Sequence, residues 1–187
     1  ADLDGDGDLD AAVVDTAGDD VAVLLNHGGG TFRPAPKLRP GNDPVAIAAG
    51  DVDGDGDVDL AVGCASATAI ALFLNRGDGT FTEPFPIEVG RFQTGLAAAD
   101  LDGDGRLDLA VSLGWSDFDA RDEEALVLLG DGKGGFTPGP RFPHVIFHAA
   151  AVADVDGDGG VEVVAAGSEI SLIARKDGSL AASVVSG

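Results

Sequence analysis

Short apolar runs alternate with clusters of Asp and Gly along this chain, and none keeps a 3.6-residue apolar period over ten or more positions. Val45-Ala46-Ile47-Ala48-Ala49 precedes one acidic stretch, and Val58-Asp59-Leu60-Ala61-Val62 follows it. Ala69-Ile70-Ala71-Leu72-Phe73-Leu74 then runs into a glycine-rich segment, and a Pro-containing extended stretch continues to about Val89. Each run is about five to seven residues long, bounded by Gly, Asp or Pro and rich in strand formers. The glycine-rich segments have the chemistry of hairpin turns that need positive φ. The pattern predicts four strands per unit and no helix.

The unit repeats. Asp2-Leu3-Asp4-Gly5-Asp6-Gly7-Asp8-Leu9-Asp10 returns as Asp51-Val52-Asp53-Gly54-Asp55-Gly56-Asp57-Val58-Asp59, as Asp100-Leu101-Asp102-Gly103-Asp104-Gly105-Arg106-Leu107-Asp108, and as Asp154-Val155-Asp156-Gly157-Asp158-Gly159-Gly160-Val161-Glu162. The starts are 49, 49 and 54 residues apart. A second landmark follows each: Leu25-Asn26-His27-Gly28-Gly29-Gly30-Thr31-Phe32, Leu74-Asn75-Arg76-Gly77-Asp78-Gly79-Thr80-Phe81, Leu129-Gly130-Asp131-Gly132-Lys133-Gly134-Gly135-Phe136 and a decayed Ile173-Ala174-Arg175-Lys176-Asp177-Gly178-Ser179-Leu180. From its last residue to the next acidic loop the distance holds at 19, 19 and 18 residues, whereas from the last loop acid to the turn it is 16, 16, 22 and 12. Length therefore varies between acidic loop and glycine turn, which places an exposed connection there.

Four antiparallel strands in about 45–50 residues is the size of a β-propeller blade. The strand before each acidic loop is rich in small residues, as in Ala46, Ala48 and Ala49, or Ala97, Ala98 and Ala99. That suits the innermost strand, where blades crowd the axis. The prolines, such as Pro34, Pro36, Pro84 and Pro86, fall on the last strand, an edge that has unpaired N–H groups. The expectation is an all-β chain, one propeller region over 1–187, with blades at about 1–41, 42–90, 91–143 and 144–187. The first blade lacks its inner strand, because its acidic loop starts at residue 2. The chain starts at Ala1 and contains no Met, so it is read as a piece of a longer protein. An arc of a ring of six to eight blades is favoured over a closed four-bladed ring, and such an arc should self-associate through its uncovered ends.

Composition supports a folded chain of unusual charge. Apolar residues make up 44%, enough for a core, while 33 acids against 11 Lys and Arg give a formal charge of −22. So negative a surface repels phosphate, which argues against nucleic-acid binding. No apolar run reaches the length of about 18 residues that spans a bilayer, so no membrane insertion is expected. No signal peptide is in view. Cys64 has no internal partner and sits in an apolar run, as a small buried filler.

The acids concentrate where a hard cation would remove their repulsion. Positions 1, 3 and 5 of each loop can converge, the glycine at position 6 permits a sharp turn, position 7 can offer its carbonyl, and position 9 closes the cage. A carbonyl ligand leaves the side chain at position 7 free, which accounts for Asp8, Asp57, Arg106 and Gly160 there. Calcium takes six to eight oxygens in flexible geometry. An EF-hand would need Glu at position 12 and flanking helices, but position 12 is Val13, Val62, Val111 and Ala165.

These repeats resemble the bacterial FG-GAP-like (VCBS-type) repeat, which is related to the blades of the integrin α-subunit head. The resemblance covers essentially the whole chain. It implies a calcium-binding β-propeller with one ion, up to four in all, in the hairpin between the first and second strands of each blade. The implied ligands are Asp2, Asp4, Asp6, Asp8 (carbonyl) and Asp10; Asp51, Asp53, Asp55, Asp57 (carbonyl) and Asp59; Asp100, Asp102, Asp104, Arg106 (carbonyl) and Asp108; and Asp154, Asp156, Asp158, Gly160 (carbonyl) and Glu162. Glu162 departs from the closing Asp, and site 1 lacks a bracing inner strand, so these two are expected to be the weaker sites.

Other features are read more plainly. Arg76-Gly77-Asp78 spells the tripeptide that integrins read, but it occupies a turn position and is read as turn chemistry. The connection from Gly114 to Glu124 holds the only Trp, Trp115, among acids; it is read as loop packing, with a sugar or protein contact as the alternative. His27, His144 and His148 share no spacing and lie near no nucleophile motif. Two function classes remain. The first is a non-enzymatic calcium-braced module for extracellular or cell-surface binding or adhesion, with a protein or carbohydrate ligand. The second is an accessory or catalytic propeller domain of a secreted carbohydrate-active enzyme.

Overall fold

A computed structural model describes residues 1–114, 123–166, 170–176 and 179–185. These form fifteen strands in four antiparallel sheets, with no helix among the described residues. The first sheet holds β1 (Ala11–Asp15), β2 (Asp20–Asn26) and β3 (Phe32–Pro34). The second holds β4 (Pro44–Gly50), β5 (Asp59–Cys64), β6 (Ala69–Phe73) and β7 (Phe85–Glu88). The third holds β8 (Phe92–Ala99), β9 (Asp108–Gly114), β10 (Glu124–Gly130) and β11 (Phe136–Pro143). The fourth holds β12 (Ala149–Ala153), β13 (Glu162–Ala166), β14 (Ile170–Lys176) and β15 (Ser179–Val185). Neighbours in sequence are neighbours in each sheet, so every blade is a meander. The first sheet has no counterpart of β4, β8 and β12.

Register ties the local pattern to the blade. Gly50 pairs with Asp59, Ala99 with Asp108 and Ala153 with Glu162, so each acidic loop is the connection between an inner strand and the second strand. β3, β7 and β11 carry Pro34, Pro86, Pro138, Pro140 and Pro143 at sheet edges, where the missing N–H interrupts no further ladder.

The core lies between blades. Leu3, Val21 and Val23 of the first sheet region pack with Leu60, Val62 and Phe73 of the second. Val52, Ile70 and Leu72 pack with Leu109, Val111 and Leu126 of the third. Leu101, Ala110 and Val127 pack with Phe147, Val163 and Ile173 of the fourth. The inner strands carry this along the axis, β1 against β4, β4 against β8 and β8 against β12, and no comparable packing joins β12 to β1. The result is an open fan of blades. Cys64 is buried, and burial pushes its thiol up to about 11, so it behaves as the apolar filler its neighbours suggest.

The interblade position of the core sets a mutational expectation. Leu126→Ala, at a fully buried site between the second and third blades, should lower unfolding free energy by about 2–5 kcal/mol. Phe85→Ala, at a side chain 60% exposed, should change it by less than about 0.5 kcal/mol. Chemical denaturation of the two variants checks the difference.

Candidate metal centre

Each acidic loop is folded round its own backbone donors. In the first, the Asp2 carboxylate accepts from the N–H groups of Gly5 (2.9 Å) and Gly7 (3.0 Å), and Asp6 accepts from the N–H of Asp8 (2.9 Å). The second, third and fourth loops repeat this: Asp51, Asp100 and Asp154 each accept from the glycines at positions 4 and 6. A short Asx carboxylate can reach its own chain two to five residues on, which is why Asp and Gly alternate here.

The closing acid does something different. Asp59 is 1% exposed, yet both of its oxygens are occupied. One accepts from the N–H of Val52 at 3.0 Å, inside the acidic loop; the other accepts from the N–H of Asn75 at 2.8 Å, at the start of the glycine turn. Asp10 bridges Leu3 and Asn26 in the same way, and Asp108 bridges Leu101 and Gly130. Glu162 accepts from Val155 at 2.8 Å, so its longer arm still closes the loop. One carboxylate thus welds loop to turn in each of the first three blades.

This brings together part of each expected ligand set. One oxygen from each of Asp2, Asp4 and Asp10 lies within 4.8 Å of the others, and so do those of Asp51, Asp53 and Asp59, of Asp100, Asp102 and Asp108, and of Asp154, Asp156 and Glu162. Positions 1, 3 and 9 therefore converge in all four loops. The carboxylates of Asp6, Asp55, Asp104 and Asp158 fall outside these groups and accept instead from the N–H of Asp8, Asp57, Arg106 and Gly160 at position 7. In the third loop the Arg106 guanidinium lies 2.8 Å from Asp104. Asp6 groups with Asp4 and His27, whose Nδ1 is 3.9 Å from Asp6. His27 lies in the glycine turn, and no spacing in the sequence marked it.

The electrostatics are those of crowded, partly dehydrated acids. Burial raises the carboxyls of Asp59 and Asp108 above the ordinary value of 3.8, against the backbone donors that lower them. Desolvation, with repulsion from Asp6 and Asp10, raises Asp4, and desolvation with repulsion from Asp55 raises Asp53. The donor set is all hard oxygen apart from His27, and among the described residues no Lys or Arg pairs with the acids at positions 1, 3 and 9, which fits a hard divalent cation rather than a soft metal. Between the second and third loops lies a depression of about 410 Å³ lined by Asp51, Asp100, Arg106 and Asp131.

The remaining sequence features resolve differently. Asp78 accepts from both the N–H (3.0 Å) and the hydroxyl (2.5 Å) of Thr80, which lowers its carboxyl, and the Arg76 guanidinium donates to the carbonyl of Phe81. Both charged members of the Arg-Gly-Asp tripeptide are thus engaged in building their turn. His148 has an exposed side chain. Trp115 and its loop, 115–122, lie outside the described residues.

A sequence family described as FG-GAP-like repeat matches residues 2–62 and 53–111. Among solved structures the chain is similar to the crystal structure of BBS1N in complex with ARL6DN, soaked with lead, with 16% identity and a TM-score of 0.61 over 99% of this chain and 54% of that one. It is also similar to a chain of the Photorhabdus luminescens Tc holotoxin pore carrying the mutation TccC3-D651A, with 24% identity and a TM-score of 0.50 over 90% of this chain and 8% of that one. The chain thus spans about half of the first and a small part of the second, and at these identities the likeness concerns fold alone. No curated protein matches.

The raised carboxyls give the cation-free protein a definite pH response. A group whose folded pKa lies above its unfolded one binds more protons when folded, so stability falls as pH rises through that window. In chelator, the melting temperature should therefore increase as pH falls from neutral toward the ordinary carboxyl value of 3.8. Asp59→Ala should cost about 3 kcal/mol even in chelator, because two buried N–H groups lose their acceptor, whereas Asp55→Ala should cost less than about 1 kcal/mol. Thermal melts over pH and denaturant titrations read both.

Proposed function

The chain belongs to the FG-GAP-like repeat family, and on that premise we propose that it is a calcium-braced β-propeller module that binds a protein or glycan ligand outside the cell. The observation that carries this reading is the convergence of three carboxylates in each of four loops, at the same positions. Asp2, Asp4 and Asp10, with their counterparts in the other loops, would hold the ion. Asp6, Asp55, Asp104 and Asp158, and the carbonyls of Asp8, Asp57, Arg106 and Gly160, complete the pattern of the family. A bound calcium would neutralise repulsion at the loop and fasten the hairpin that joins the two innermost strands of a blade.

Four ions would bring the formal charge from −22 to −14. The metal loops hold 18 of the 33 acids, and the rim connections are left to recognise a ligand. Sites of this class are commonly filled only at calcium concentrations of about 10⁻⁴–10⁻³ M, which favours an extracellular or cell-surface setting. The repeat units that carry one site each are 1–41, 42–90, 91–143 and 144–187. The module is read as non-catalytic, in keeping with its match to the FG-GAP-like repeat family.

Calcium should stabilise the fold by mass action. A site with a dissociation constant of about 0.5 mM, filled at about 5 mM ion, contributes about 1.4 kcal/mol. Several such sites should raise the melting temperature by about 10 °C over chelator, and isothermal titration should count fewer ions bound to Asp53→Asn than to the parent chain. An unchanged melting curve would overturn the calcium reading. A glycan array followed by an activity screen on any hit then reads the binding role: retention without turnover supports it, and cleavage replaces it with an enzyme domain.

A further inference from the structure

The first glycine turn differs from its counterparts in where one side chain goes. His27 follows Asn26 as Arg76 follows Asn75 and Asp131 follows Gly130. The Arg76 guanidinium folds back on the carbonyl of Phe81, and Asp131 accepts from the N–H groups of Lys133 (2.8 Å) and Gly135 (2.9 Å), so both are engaged within their own turns. His27 turns instead to the acidic loop of its blade, where its Nδ1 stands 3.9 Å from an oxygen of Asp6. Among the described residues no hydrogen bond occupies either nitrogen of the His27 ring.

The acids that face this ring are held in place. Asp6 accepts from the N–H of Asp8 through Oδ1, while Oδ2 is the oxygen that points to His27. The loop backbone is clamped by the second blade, because the N–H of Gly79 and the Nδ2 of Asn75 both donate to the carbonyl of Leu3, at 3.0 and 2.9 Å. Gly79 also packs on Asp4: a Cβ at Gly79 would lie 3.3 Å from that of Asp4. On the other side Asn26, the residue before His27, donates its N–H to Asp10 at 2.7 Å and its Nδ2 to the carbonyl of Leu9 at 3.2 Å. Turn and loop are thereby fixed against each other, and one donor atom from each of Asp4, Asp6 and His27 lies within 4.8 Å of the others. The 3.9 Å gap from His27 to Asp6 is too wide for a hydrogen bond. Two ligands on opposite sides of one zinc ion, each about 2.1 Å away, stand about 4.2 Å apart.

We propose that Asp4, Asp6 and His27 form a site for a divalent transition ion of the zinc class, bound at the first blade in addition to any calcium in the loops. Calcium selects oxygen, whereas an imidazole nitrogen beside carboxylates suits zinc and its neighbours. The groups of three in the second, third and fourth loops are carboxylates throughout, so among the described residues only the first loop offers nitrogen. Three protein ligands leave the fourth position of a tetrahedral zinc ion to water. The ion would fasten glycine turn to acidic loop on the solvent side, as Asp10 fastens them on the buried side. The site employs the acid at position 5, which stands outside the group of Asp2, Asp4 and Asp10, and it holds whether or not the four loops take calcium.

Zinc titrated into the metal-free chain tests this, at a pH of about 7.5 where an ordinary imidazole is neutral. Calorimetry counts the ions, and long-range proton–nitrogen NMR reads the histidine rings. The chain has three histidines, so His144 and His148 serve as internal controls. The tightest zinc should bind once per chain and shift the ring nitrogens of His27, with those of His144 and His148 unmoved. His27→Gln and Asp6→Asn should each weaken that binding by about tenfold or more, a loss of at least about 1.4 kcal/mol, while His144→Gln leaves it unchanged. Circular dichroism checks that each variant folds, and the NMR readout on the parent chain needs no variant. Melting in calcium against chelator is measured on His27→Gln as well, so loss of the zinc site and failure of the calcium reading give separate results. Tight zinc binding that survives His27→Gln, His27 signals that do not move, or shifts spread equally over all three rings would overturn the proposal.

Discussion

A buried carboxylate with two backbone partners holds this molecule in shape. Asp59, and equally Asp10 and Asp108, sits where an acidic loop and a glycine turn of one blade approach, and accepts one N–H from each. Dehydrating an ionised acid is unfavourable, and only charge-assisted hydrogen bonds on both oxygens make the position tenable. The bond to the turn fixes where its glycine lies, and that glycine then reaches the acidic loop of the preceding blade. The same side chain also completes the group of three carboxylates. In the second and third blades, candidate metal site, blade geometry and blade stacking therefore share one residue, Asp59 and Asp108.

Burial follows from this arrangement. A four-stranded meander has two faces, and in this chain each inner blade covers one face with the blade before it and the other with the blade after. No blade has a core of its own, so stability is a sum over interfaces, as in other repeat proteins. Among the described residues each end blade has a neighbouring blade on one face only, and Leu9, Val13, Val155 and Ile170 are exposed for that reason rather than by a change of residue type.

Much of this was legible from spacing. The number of strands per unit, the small-residue inner strands, the edge prolines and the position of the acidic loops all follow from local chemistry that repeats, so each copy corroborates the others. The incomplete first sheet was legible for the same reason. Less legible were roles that depend on what stands opposite. Asn75 reads as a turn residue, yet it bridges two blades. His27 shows no motif, yet lies beside Asp6. The acids at position 5 look like their neighbours at 1 and 3, but they turn to the backbone at position 7.

The amino-acid order by itself determined the repeating unit, its strands, its turns and the clustering of acids, because these are set by interactions a few residues long. It also determined which acid differs, since only position 9 is followed at once by a strand that enters the core. Tertiary structure alone decided which carboxylates face one another, which carbonyl a turn glycine meets in the blade before, and that the fan stays open. Those outcomes rest on contacts between residues some 70–80 positions apart, such as Leu3 with Asn75 and Gly79, and pairing at that range is specified by the packing of whole blades, not by any local stretch of chain.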